Sequence, residues 1–294
     1  MITSGRVYDW HANRRGAPLR RPVGQMCFYA LALAIVVIMV FPYYWQLITA
    51  LKQPGELYLI PPAWFPKGVY LGNFVAVFTQ YQFVTYMLNS LIVAGTTTFL
   101  AISVGSLAAY ALARLPIKGR VWILGGILSA SMLPGTAIVG PIFLLISSVG
   151  LVNTYPGLVW PYTSFSLPFS VWVLSNFYSQ IPIELEEAAA VDGCSPLQAF
   201  SKVIFPLSAP GLATTAILVF IGAWNEFLFA LVLTRTAAVR TVPLGIASFA
   251  GIHDELPWGA VSAASVFVTL PLIVVVIAFQ KHIVQGLTAG AVKG

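Results

Sequence analysis

Charge is what this chain has least of. Asp, Glu, Lys and Arg make up 8% of its 294 residues against 59% hydrophobic ones, and the mean hydropathy is +0.87. So few charges cannot clothe a water-exposed surface, which excludes an ordinary soluble domain. Cysteine is scarce too: Cys27 and Cys194 are the two in the sequence, and both are expected on the reducing side of a membrane, which excludes a disulfide framework. The three histidines, His11, His253 and His282, have no metal-ligand spacing. No Gly-x-x-x-x-Gly-Lys-Ser/Thr loop is available to cradle phosphate. Neither a His-Glu-x-x-His zinc motif nor a Gly-x-Ser-x-Gly elbow occurs. The chain is therefore expected to be no enzyme, with no metal or cofactor of its own.

What is present is apolar sequence in long pieces. Charge is absent over 22–51, 68–113, 121–183, 203–225 and 256–280. A helix needs about 20 apolar residues to cross a bilayer core. The third interval holds two spans, separated by the polar break "GLVNTYPG" at 150–157. Six transmembrane helices are predicted, at 25–49, 86–113, 121–148, 157–180, 207–233 and 258–281. The continuous runs argue against a β-barrel, whose segments alternate in units of about 10 residues. The fold class is all-α and polytopic.

Eleven of the fifteen Lys and Arg residues fall in the N-terminal arm, the link after the second span, the segment around Lys202 and the tail; Lys52, Lys67, Arg235 and Arg240 fall on the other side. Basic loops stay in the cytoplasm. Both termini are then cytoplasmic: an arm at 1–24, the membrane domain at 25–281 and a tail at 282–294. The first apolar run is too long for a cleaved signal and reads as a retained anchor. The net charge of +6 follows from this bias and points to no nucleic acid.

One polar island interrupts the apolar sequence. "PIELEEAAAVDGCSPLQAFSKVIFPL", about 182–206, holds Glu184, Glu186, Glu187 and Asp192, four of the nine acids. Its local signals predict two short helices. Pro182 suits a first turn and the glutamates suit the positive helix end. Three alanines propagate the helix, and Asp192-Gly193 stops it. Ser195-Pro196-Leu197-Gln198 restarts it with a capping box. Its small face and flanking acids suit close docking by a basic partner; a plain connecting loop is the other reading.

The island resembles the EAA signature of ABC-importer permeases. Glu187, Ala188, Ala189, Gly193 and Pro206 match, with Val203 and Phe205 as conservative departures. "YMLNSLIVA" (86–94), "AAYALARLPIKGR" (108–120), "MLPGTAIVGPIFLLISSVGLVNTYPGLV" (132–159), "WNEF" (224–227) and "QGLTAGAVKG" (285–294) resemble the maltose-type carbohydrate-uptake branch. The resemblance implies a type I importer permease in a bacterial or archaeal inner membrane. Its implied partners are a second, larger permease, two copies of an ATPase subunit that hold ATP and Mg, and an extracytoplasmic sugar-binding protein. It implies ATPase-coupling contacts at Glu187, Ala188, Ala189, Asp192, Gly193, Phe200 and Pro206. The external loop 234–258 would meet the binding protein through His253, Asp254, Glu255 and Trp258. The tail would reach the ATPases through Thr288, Lys293 and Gly294. Maltose, trehalose, another oligosaccharide, a glucosylated polyol and glycerol-3-phosphate all remain open as cargo.

Glu226 is the one acid inside a predicted span. A mid-bilayer carboxylate costs about 2.5–3.5 kcal/mol even on the lenient insertion scale, so it must face protein or water. It is either a pathway residue, with Trp224, Asn225 and Asn89, or a structural acid bonded to a neighbouring helix. A self-powered transporter using Glu226 as a proton site is the competing class; the lack of repeat-like symmetry between the halves speaks against it. Pro134-Gly135 and Gly140-Pro141 are expected to interrupt the third span.

Overall fold

The computed structural model describes residues 22–249 and 256–289, with side chains from 24 to 249 and from 256 to 280. All regular structure among these residues is helical. Residues up to Gln46 form one compact unit and those from Leu47 onward a second. Most of α1, Pro22–Leu51, belongs to the first. It is 30 residues long, apolar on every side, with Pro42 inside it.

The second unit begins with a 3₁₀ turn at Pro54–Glu56, then α2, Gly72–Thr79, and α3, Phe83–Arg114. Next come α4, Arg120–Ser131, α5, Gly135–Ser148, and α6, Tyr155–Gln180. The island follows as α7, Glu184–Val191, and α8, Pro196–Ala199, then a π-helical turn, Phe200–Ile204, and α9, Phe205–Leu207. Beyond it lie α10, Ala209–Trp224, α11, Leu228–Leu233, α12, Val242–Ala247, and α13, Trp258–Ala289.

Among the described residues, three helices are long and apolar enough to cross a membrane, Gly24–Leu51, Phe83–Arg114 and Trp258–Gln280, and two bent pairs raise the number to five. The charge-free α6, at 26 residues, is the remaining long helix.

Two predicted spans are not single helices. Over 121–148 the chain turns by 91° between α4 and α5. At about 1.5 Å per residue the two pieces reach roughly 18 and 21 Å, short of a 30 Å core. Pro134 causes the turn: it sits in extended backbone at ψ 129 and begins the next helix, and it offers no N–H to continue the previous one. Pro141, by contrast, lies inside α5 without interrupting it. The other predicted span, 207–233, starts at a 77° bend around Ser208 and breaks again at 225–227 between α10 and α11.

α3 is the central member, packed along both α6 and α10. Lipid supplies no hydrophobic drive between helices, so close backbone approach and hydrogen bonds must hold them. Gly105 of α3 provides the approach: a Cβ there would lie 2.9 Å from Cβ of Ser170 on α6. Around α3, Val93, Leu158, Tyr162, Trp224 and Leu233 form one buried cluster. Ala109, Tyr110, Leu174, Tyr178, Phe200 and Ile204 form another at the island end.

Candidate functional site

The island folds as its local chemistry dictates. Glu184, Glu186 and Glu187 occupy the first turn of α7, where free backbone N–H groups favour carboxylates. Gly193 ends the helix at φ 83, a left-handed conformation in which a side chain would be strained. The Gly193 N–H donates to the Ala190 carbonyl at 3.0 Å and the Cys194 N–H to Ala189 at 2.9 Å. Ser195 then opens α8 with a reciprocal box: its N–H donates to Gln198 Oε1 at 2.9 Å, and the Gln198 N–H to Ser195 Oγ at 3.4 Å. A π turn follows, with the Phe205 N–H reaching back to the Phe200 carbonyl.

The island has an outer and an inner face. Glu187, Ala188, Ala190, Asp192 and Gly193 are exposed, beside apolar Val191 at 88% and Leu197 at 66% exposure. Ala189 and Phe200 face inward instead. Phe200 packs its ring 5.0 Å from Tyr110 and 6.2 Å from Tyr178. Of the seven residues the EAA resemblance marks, these two anchor the island, and the exposed ones carry its free surface.

Beneath the island lies a polar node that sequence reasoning missed. Arg114 is the last residue of α3, and Tyr110 sits one turn before it on the same face. The Tyr110 hydroxyl donates to the Glu186 carboxylate and faces the Pro196 carbonyl at 3.2 Å. Arg114 donates to the carbonyl of Ile181 at the end of α6, and its Nε lies 3.5 Å from Glu186 Oε2. The two side chains are 6% and 18% exposed. The node's available signal was the i, i+4 spacing of Tyr110 and Arg114 at a span end; the acid they meet lies 76 residues beyond Tyr110 in the chain.

The WNEF stretch marks the break between α10 and α11. Glu226 Oε1 accepts from the Phe229 N–H at 2.8 Å and Oε2 from the Ala230 N–H at 3.2 Å. The carboxylate therefore caps α11, the helix directly after it. Tyr162 of α6 directs its hydroxyl towards it from the other side. Trp224 is fully buried in the cluster beside α3, whereas Asn225 is exposed and donates to Ile221 within its own helix at 2.8 Å.

Asn89 belongs to a different place, near the far end of α3. Its Nδ2 donates to the carbonyls of Ala238 at 3.1 Å and Arg240 at 2.8 Å, and its Oδ1 accepts from Tyr155 at 2.7 Å. Adjacent Ser90 accepts from the Val242 N–H at 2.8 Å. Asn153, with φ 62, receives the Arg235 and Thr236 N–H groups at 2.9 and 3.0 Å. The segment 234–242 is thus bound to the bundle from two sides. Trp258 is exposed at the start of α13. His253, Asp254, Glu255, Lys293 and Gly294 lie outside the described residues, as does the side chain of Thr288.

Known proteins match this architecture along nearly its whole length. Residues 101–289 match the family described as binding-protein-dependent transport system inner membrane component. The trehalose/maltose transport system permease protein MalG of Thermococcus litoralis is 44% identical over 265 residues, covering 90% of this chain and 95% of that protein. The trehalose transport system permease protein SugB of Mycobacterium tuberculosis is 46% identical over 78% of this chain and 84% of its own length. The sulfoquinovosyl glycerol transport system permease protein SmoH of Agrobacterium fabrum is 41% identical over 86% and 89%. Among solved structures, a bacterial ABC transporter involved in the import of the acidic polysaccharide alginate superimposes with a TM-score of 0.77 over 90% of this chain and 98% of that one, at 20% identity, a likeness of fold. With a family match across the helices that carry both the island and the WNEF break, the chain belongs to the binding-protein-dependent transport system inner membrane component family of ABC importer permeases.

Proposed function

We propose that this chain is the six-span permease of an inner-membrane sugar importer, and that its cargo is a glucose disaccharide of the trehalose and maltose kind. The cargo reading rests on two relatives above 40% identity whose names carry trehalose or maltose. Counting α6 with the five apolar spans gives six crossings, with the island and both termini in the cytoplasm by the Lys and Arg distribution. The chain itself performs no hydrolysis. Two ATPase subunits, holding ATP and Mg, supply the energy, a second permease completes the pathway, and an extracytoplasmic binding protein delivers sugar.

The single observation that carries the coupling role is the island's exposed face. Glu187, Asp192 and the small residues Ala188 and Gly193 flank apolar Val191 on α7, just ahead of the capped α8. That surface suits a cleft with basic groups at its rim and an apolar floor. Phe200 serves it from behind by packing the second helix on the bundle, and Pro206 is exposed beyond the π turn as a further contact. ATP-driven closure of the ATPases would draw this plug and that of the partner permease together, opening the bundle outward.

Asn225 keeps the pathway reading, since it is exposed at the break in a span, the kind of backbone tolerated where a cavity is lined. Glu226 contributes the shape of that break and Trp224 supports it from a buried position; Asn89 is assigned to the pathway at the other end of α3, beside 238–240. The loop residues His253, Asp254, Glu255 and Trp258 are assigned to the binding protein, and Thr288, Lys293 and Gly294 to the ATPase pair. A proton-coupled transporter would need Glu226 free to exchange protons, and both its oxygens accept backbone N–H groups.

Uptake of labelled trehalose and maltose, in a strain lacking its own permease and supplied with the chain and its partners, tests the proposal. Glu187→Lys should abolish uptake with the protein still inserted in the membrane. Uptake that persists in that variant, or that follows the proton gradient without any ATPase, overturns the proposal.

A further inference from the structure

α3 touches both the island and the segment 238–242. At its C-terminal end, Tyr110 and Arg114 together hold the end of α6 through Ile181, the first island helix through Glu186 and the second through Pro196. Phe200 closes the apolar side of that grip against Tyr110. At its other end, Asn89 and Ser90 hold the segment 238–242 through three hydrogen bonds, with Tyr155 bracing Asn89 from α6. The two grips are separated by about 20 residues of uninterrupted helix, roughly 30 Å, with no proline between them.

The island joins the spans at two changes of chain direction, and Phe200 also packs it against Tyr178 of α6. It leaves α6 through Ile181, whose backbone is extended at ψ 131, and enters α10 at the 77° bend beside Ser208. Neither joint continues an island helix straight into a span. The node ties α7 to the bundle directly: an α7 displaced by its partner must carry Glu186, and with it the end of α3. A stiff helix then delivers the displacement to 238–242, since close-packed elements shift as bodies rather than yielding continuously.

We infer that α3 is the transmission rod of this permease, with Tyr110, Arg114 and Glu186 as positioning residues that grip the island, and with Ser90 and Asn89, the latter braced by Tyr155, gripping the opposite loop. The inference rests on the importer reading above and adds the route by which the two faces communicate. By linkage the route runs both ways: a binding protein on 238–242 must act on the island as the island acts on the loop.

The test uses the complete complex in proteoliposomes, with the partner permease, both ATPases and binding protein loaded with the transported disaccharide. Three quantities are read: ATP hydrolysis without binding protein, its stimulation by binding protein, and sugar delivered per ATP. Tyr110→Phe with Glu186→Gln keeps ring and volume but removes the proton and charge of the grip. In the assembled complex, stimulation and sugar per ATP should each fall about fivefold or more, with unstimulated hydrolysis unchanged. Ser90→Ala with Tyr155→Phe, at the far end, should give the same pattern. The exchange Arg114→Glu with Glu186→Arg should recover part of what Arg114→Glu loses. Wild-type stimulation and stoichiometry in both assembled double variants overturn the rod, as does a loss that only tracks lost assembly. A wild-type complex that fails to respond to binding protein sinks the importer reading instead.

Discussion

The island and the WNEF break both place a glutamate where apolar helix gives way, and they use it in opposite directions. In the island, Glu187 points outward from the first turn of α7 and is exposed, while its neighbour Glu186 is drawn inward to Tyr110 and Arg114. At the break, Glu226 folds back onto the amides of its own chain and neutralises the open end of α11. One carboxylate is offered to a partner, one holds two helices together and one closes a backbone. A carboxylate's role here is set by which donors its oxygens can reach, not by its position in an apolar chain.

The largest effect should come from Gly193. A valine at its φ of 83 cannot keep the left-handed turn, so Gly193→Val should tilt α8 and abolish uptake while the protein still inserts; near-normal uptake would show that the angle between the island helices is immaterial. Phe200→Ala comes next. Emptying a buried aromatic site costs about 3–5 kcal/mol, and the expected outcome is an island more readily cleaved by protease in detergent-solubilised complex. Val191→Ser sharpens the contrast from the outer face: it should leave thermal stability unchanged yet weaken co-purification of the ATPase. Equal loss of stability in both variants would erase the distinction between the faces.

Glu226→Ala should lower stability by about 1–2 kcal/mol through the lost cap, seen as a lower Tm of the purified complex. Glu226→Gln, which keeps an acceptor oxygen, should retain most uptake; complete loss with Gln would return Glu226 to the proton-site reading. The smallest change expected is Ser195→Ala, about 1 kcal/mol from the capping box, detectable as a modest fall in Tm with uptake intact.

Local signals were legible in the residues themselves. The Ser195–Gln198 box, the stop at Asp192-Gly193 and the turn before the sixth helix depend on a few adjacent dihedrals and donors, and each appears where the sequence places it. The 91° turn at Pro134 was harder: proline announces a break, but its angle depends on what α4 and α5 pack against. Pro141 makes the same point in reverse, since a proline inside a helix can be accommodated. Glu226 was recognised as exceptional, but whether it would reach backbone, side chain or solvent depended on how the chain opens at 225–227.

From the amino acids alone came the membrane setting, the helical class, the polar island and its two short helices. Hydropathy and capping act over one or two turns, so they are written in neighbouring residues. Folding in three dimensions decided that Phe200 and Ala189 turn inward, that Asn89 serves a loop some 150 residues away, and that Tyr110, Arg114 and Glu186 meet. Those outcomes depend on side chains from distant segments arriving within hydrogen-bond distance, and the short range of that interaction leaves no trace in linear order.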